Sequence, residues 1–256
     1  MKFFLSELKK RNNTLYWFGL YNLAVAILCI ILMQFDAKQI LGVSRRLKPM
    51  KFYFSVWIMV WTMGWLLYYL NYKKGIRNIS WFIVVSMFIE NFIILLQSIR
   101  GERSHFNIQS STNGILFSIM GIVILIFTLT MIYALWLYLR QKQFSISKSY
   151  LWGISLGLLF FIIFSLEGGV MLSKMSHTVG GADGGPGFPV VNWSNRFGDL
   201  RIAHFFGIHS LQILPLGGLY IFKRPIAFFI FSALYFSFVT ALLVIALDGL
   251  PLLTGK

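Results

Sequence analysis

Seven stretches of about twenty apolar residues, separated by short basic segments, constrain this chain more than any other feature. A helix rises ~1.5 Å per residue, so ~20 apolar residues span the ~30 Å hydrocarbon core of a bilayer. The runs fall at about 14–35, 52–72, 79–99, 115–139, 150–172, 199–222 and 226–247. They predict an all-α, polytopic membrane bundle of seven transmembrane helices in a single domain over 1–256. Composition agrees: 57% of the 256 residues are hydrophobic and 12% charged. Soluble domains average about 25% charged. The first run is too long for a signal-peptide core, and MQFDAK is a poor cleavage site, so it reads as an uncleaved helix. There is no internal repeat and no coiled-coil heptad.

The net charge of +15 would suggest nucleic acid in a soluble protein. Here the bases sit between apolar runs, where they anchor helices at the lipid bilayer and meet anionic headgroups. No basic face with interleaved aromatics exists, so nucleic acid is set aside. Cys29 is the sole cysteine, which excludes an internal disulfide and a cysteine-based metal site.

Sidedness follows from the bases. With the N-terminus inside, the inner segments hold Lys2, Lys9, Lys10, Arg11, Lys73, Lys74, Arg77, Arg140, Lys142, Lys148, Lys223 and Arg224, twelve of the 23. The count barely decides. The inner connections are shorter, however, and free of acids, so a cytoplasmic N-terminus in the cell membrane is expected. Against it stands the outer run Arg45, Arg46, Lys48, Lys51. The odd-numbered connections then share one membrane face, and with it come all four histidines.

The site is read from the polar residues inside the apolar runs, because intramembrane ionisable groups are costly and mark function by default. The stretch Gly198–Pro215, GDLRIAHFFGIHSLQILP, carries Asp199, Arg201, His204, His209 and Gln212. On a helix the last four fall within an arc of roughly 140°. Glu90 lies half-way along the third run, on a stripe with Ser86 and Gln97, and Glu167 lies near the end of the fifth. His105, His204 and His209 are candidate metal or haem ligands. Their spacing is no zinc signature, because histidines five apart point ~140° apart. The other readings are interhelical hydrogen bonding and proton or ligand binding. Glu90 and Glu167 are the candidate catalytic, ligating or proton-transfer acids; the plainer alternative is a buried acid that fixes helix packing.

The glycine-rich VGGADGGPGFP, with Asp183, predicts an irregular lid-like loop. It lies about ten residues ahead of the next helix, too far for a phosphate-binding loop. Arg45, Arg46, Lys48, Arg201 and Asp183 are the candidate substrate-binding groups, suited to a small anionic or lipid ligand. Headgroup anchoring competes for the first three. No nucleophile elbow or kinase signature is present.

At LGVSRRLKPMKF, RGERSHFN, DGGPGFPVVNWS and GDLRIAHFFGIHSLQILP the chain resembles a family of bacterial seven-helix membrane proteins marked by SHFN and AHFxGxHxLQxLP. The resemblance covers the first connection to the sixth helix. It implies a bacterial inner-membrane protein and makes His105, Asn107, His204 and His209 motif positions. It departs at Arg45-Arg46-Leu47, where the family has a small or polar residue and an aromatic. That family has no assigned activity, so no role is carried over. Three functions stay open: a metal- or haem-dependent membrane enzyme or redox protein, a transporter or binding protein for a small anion or lipid, and a structural subunit.

Overall fold

The computed structural model describes residues 2–253, with the Lys2 side chain outside the described part. It is an all-α bundle of membrane type. Among the described residues six helices are long and apolar enough to cross a membrane, or seven if one bent pair is a single span. The chain divides into two compact units, one ending at Gln141 and the other beginning at Lys142.

The first unit holds α1 (Lys2–Arg11), α2 (Asn13–Met33), α3 (Leu47–Leu66), α4 (Lys73–Arg100) and α5 (Ser111–Arg140). The basic N-terminal segment, expected only to precede the first span, is itself a helix. Leu8 of α1 is fully buried and faces Gly64 of α3. The Arg11 guanidinium lies 3.9 Å from the centroid of the Trp65 ring and 4.4 Å from that of Tyr68, a cation–π arrangement. Asn12 caps α2 by accepting from the Leu15 N–H at 3.0 Å and donates to Ser80 Oγ of α4 at 2.8 Å. Gly19 lets the Trp61 ring lie against α2, with its Nε1 donating to the Tyr16 carbonyl.

The first connection is a hairpin. β1 (Gln39–Ile40) and β2 (Val43–Ser44) pair antiparallel. Leu41 and Gly42 both have positive φ, 52° and 76°, the pattern a two-residue type I′ turn demands. α3 starts five residues before the expected 52, because Pro49 fits a first helical turn that needs no N–H donor from it. Lys48 and Lys51 are therefore helical.

In the second unit α6 (Lys148–Leu166) breaks at Glu167 and continues as α7 (Gly168–Lys174). A glycine-rich loop with β3 (Thr178–Val179) paired to β4 (Gly198–Asp199) leads into α8 (Leu200–Ile208), α9 (Ser210–Leu216) and α10 (Pro225–Leu247). The expected single helix over 199–222 is thus broken: α8 and the stretch from Ser210 to Ile221 meet at 41°. At the break the His209 carbonyl accepts from the N–H groups of both Gln212 and Ile213, a tightened turn between the two helices. α6 meets α9 through glycines. A Cβ on Gly153 would strike the backbone of Leu214 and Pro215, and Gly157 faces the Ser210 carbonyl. The Ser210 hydroxyl donates to the Gly157 carbonyl at 3.0 Å. Small residues that let backbones approach are the usual currency of helix packing in lipid.

Candidate functional site: two buried carboxylates, each beside a histidine

Each unit carries one such pair. In the first, Glu90 projects from α4 with its side chain only 4% exposed. Its Oε1 lies 3.8 Å from His105 Nε2, and its Oε2 is buried with no hydrogen-bond partner. His105 comes from the loop between α4 and α5. On its other side, Nδ1 is 3.1 Å from Lys48 Nζ and 3.0 Å from Ser104 Oγ. An ammonium only donates, so Nδ1 accepts and the ring proton sits on Nε2, facing Glu90. The chain Lys48–His105–Glu90 thus leads from the α3 start to the middle of α4.

That loop is held by its own polar contacts. Gly101, at φ 79°, ends α4. Asn107 donates to Glu102 Oε2 at 2.9 Å, and Gln97 Nε2 donates to Asn113 Oδ1 at 3.0 Å. In RGERSHFN, then, Ser104 and His105 face the site, and Asn107 braces the loop.

In the second unit, Glu167 sits at the break between α6 and α7. His204 Nδ1 of α8 lies 3.2 Å from its Oε2. The carboxylate is 3% exposed and the imidazole 31%. Again one oxygen, Oε1, is buried without a partner. His209, at the break between α8 and α9, turns elsewhere: its Nδ1 is 3.1 Å from Gln212 Oε1 and its ring packs on Phe205 at 4.3 Å.

The expected metal set does not assemble. Among the described residues no three His, Cys, Asp or Glu side chains gather where one ion would hold them. The physical reason is the helical phase: five residues separate His204 from His209, and each has a partner of its own.

The expected anion-binding groups are tied into braces. Arg45 and Arg46 both donate from Nε to Asp36 Oδ2, at 2.7 and 2.9 Å. Arg45 also reaches the Ile99 carbonyl at the end of α4 at 2.8 Å. The hydrogen bond from Arg45, against the opposing effect of burial and with help from the Lys38 N–H and Arg46, lowers the Asp36 carboxyl to about 2. Arg201 grips fully buried Asp199 through Nε and Nη2, at 2.9 and 2.6 Å. Asp199 also caps α8 through the Arg201 N–H and accepts from the Ser194 N–H at 2.7 Å. Asp183 organises the glycine-rich loop by accepting from Ser176 Oγ and the His177 and Thr178 N–H groups, with His177 Nδ1 at 2.8 Å. Burial alone would raise its carboxyl; the His177 contacts and Thr178 outweigh this and hold it well below the usual range. The loop is therefore tied down rather than a free lid.

Sequence reasoning missed several partners. Asp36 is nine residues before Arg45, and only the hairpin brings them together. Asn22 and Asn91 are joined by a 2.8 Å hydrogen bond between α2 and α4; two polar residues in apolar runs were the available signal. Ser104 was visible only as a neighbour of His105.

No protein-family model, no curated protein and no solved structure matches the chain.

Proposed function

We propose that the protein is a proton-coupled membrane transporter that takes up and releases protons at Glu90–His105 and Glu167–His204. One observation carries this reading: each unit buries a carboxylate beside an imidazole and leaves one of its oxygens without a hydrogen-bond partner. Most buried side-chain oxygens are hydrogen-bonded, because an unsatisfied polar atom destabilises the fold. A carboxylate in the membrane needs either a partner or a proton, and such groups line proton pathways. Lys48 supports the assignment, since it fixes the His105 tautomer that offers a proton toward Glu90. Among the described residues the metal-enzyme reading lacks a set of three ligands around one point, and the anion-site reading has its arginines paired with aspartates.

The charges at the ends of the first unit support a cytoplasmic N-terminus. The end with α1 and the α4 start carries Lys9, Lys10, Arg11, Lys73, Lys74, Arg77 and Arg140, with Glu7 as the acid. The opposite end carries Lys38, Arg45, Arg46, Lys48, Lys51, Arg100 and Arg103 with two acids, Asp36 and Glu102, so the first end leads by a single net charge.

Infrared difference spectroscopy on protein reconstituted in lipid tests the proton chemistry without knowledge of the solute. Wild type is expected to show the carbonyl stretch of a protonated, water-poor carboxylic acid that changes with pH. Glu90→Gln and Glu167→Gln should each remove part of it. A spectrum free of such a band, or one unaltered by both substitutions, overturns the proposal.

A further inference from the structure

A second feature of the first unit lies on its outside, away from the Glu90 site. Between α4 and α5 runs an open groove of about 310 Å³, lined by Asn78, Phe82, Ile126, Leu129, Thr130 and Tyr133 among others. Its apolar walls face outward: Phe82 is 54% exposed and Leu129 55%. The α5 residues extend over seven positions, about 10 Å of helix, a substantial part of one leaflet's hydrocarbon depth.

Both walls end in a cation at the same end of the unit. On α4, Asn78 and Phe82 are four apart, and Lys74 is the next residue up that stripe. On α5, Ile126 and Tyr133 are seven apart, and Arg140 continues the stripe by another seven. The α4 start and the α5 end stand together: the Asn71 N–H donates to Gln141 Oε1 at 2.8 Å. Gly75 lies against Leu137 and the Tyr133 hydroxyl. Trp136 and Tyr133 stack at 5.7 Å, and the Arg140 guanidinium rests 4.9 Å from the centroid of the Trp136 ring. Aromatic residues beside bases mark the headgroup level of a membrane protein. The cations therefore sit at the headgroup end of the groove, and its apolar part runs toward the bilayer centre.

We propose that the α4–α5 groove is a binding site for an anionic phospholipid, one acyl chain lying along Phe82, Ile126 and Leu129 and the phosphate-bearing headgroup held by Lys74 and Arg140. The proposal rests on charge complementarity at the groove mouth combined with an apolar trough of matching direction. It is independent of the proton chemistry at Glu90.

Native mass spectrometry of purified protein tests it with phosphatidylglycerol and phosphatidylcholine of identical acyl chains. Wild type should retain phosphatidylglycerol more strongly. Lys74→Gln and Arg140→Gln, singly and together, should weaken phosphatidylglycerol retention by about fivefold per charge removed and weaken that of the zwitterionic phosphatidylcholine much less. Leu129→Trp, which fills the trough from an exposed position, should weaken retention of both lipids. Equal retention of the two lipids by wild type, or a phosphatidylglycerol preference untouched by the charge substitutions, overturns the assignment. A Leu129→Trp protein that keeps both lipids removes the acyl-chain half and overturns it likewise.

Discussion

Glu90 and Glu167 are the same chemical device in two mechanical settings. Glu90 projects from the middle of an unbroken 28-residue helix, and its histidine arrives from a loop braced by Glu102, Asn107 and Asn113. Glu167 stands at a helix break, and its histidine belongs to a nine-residue helix that ends at a second break. The contacts differ in kind. At 3.8 Å the His105–Glu90 approach is too long for a direct hydrogen bond, whereas 3.2 Å for His204–Glu167 is close enough to be one. His105 also has a cation behind it. In the first unit the carboxylate sits within a continuous helix and its histidine in a braced loop; in the second, the carboxylate stands at a helix break and its histidine on the short helix that ends at Ile208.

The arginine–aspartate braces show the same contrast, and the largest expected effect tests it. Asp199 is fully buried, caps α8 and holds Arg201. Asp199→Ala should lower unfolding stability by about 3 kcal/mol, the low end for breaking a buried ion pair, because Arg201 keeps some access to solvent. A thermal melt in detergent measures it. A loss below about 1 kcal/mol would mean that the second unit does not depend on this brace.

Helix contact should separate the units next. Gly153→Val puts a side chain into the α9 backbone and should cost about 1–3 kcal/mol. Gly121→Val on α5 meets nothing within 4 Å and should leave the melt essentially unchanged. Equal effects would show that close backbone approach does not distinguish the two units.

The smallest effect belongs to the rim of the first unit. The Asp36 carboxyl is lowered from 3.8 to about 2 by Arg45 first. A lowered carboxyl contributes stability that is complete above its unfolded value and is lost as pH falls through its folded value. Wild type should therefore melt higher than Asp36→Asn above pH ~4 and converge with it as pH drops toward about 2. A gap constant over that range would show that Asp36 is not the group holding the hairpin.

Much of the architecture could be read from hydropathy alone. The runs ending near 35, 139 and 247 match α2, α5 and α10 closely, since twenty apolar residues leave few other choices. What hydropathy missed were features set by backbone chemistry within an apolar run. The break at His209 and the break at Glu167 lie inside runs whose mean hydropathy gives no sign of them. α1 was missed because ten residues with four bases look like a leader until Leu8 and Arg11 find Gly64 and Trp65. At the site, Glu90, Glu167, His105 and His204 were legible as costly polar residues in or beside lipid-spanning segments. Their grouping was not: the three-histidine set gave way to two separate carboxylate–imidazole pairs.

The amino-acid order by itself determined that this chain spans a membrane as helices and which ionisable residues it must hold away from water. The bilayer imposes that result, because backbone polar groups in hydrocarbon need partners within their own segment and apolar length fixes the span. The tertiary structure decided the pairings: Asp36 with Arg45 and Arg46, Asp199 with Arg201, Glu90 with His105, Glu167 with His204. Side-chain partners depend on helix phase, on loop closure and on where a helix breaks. Those are set by contacts between residues far apart in the chain, so which acid meets which base emerges only when the helices pack.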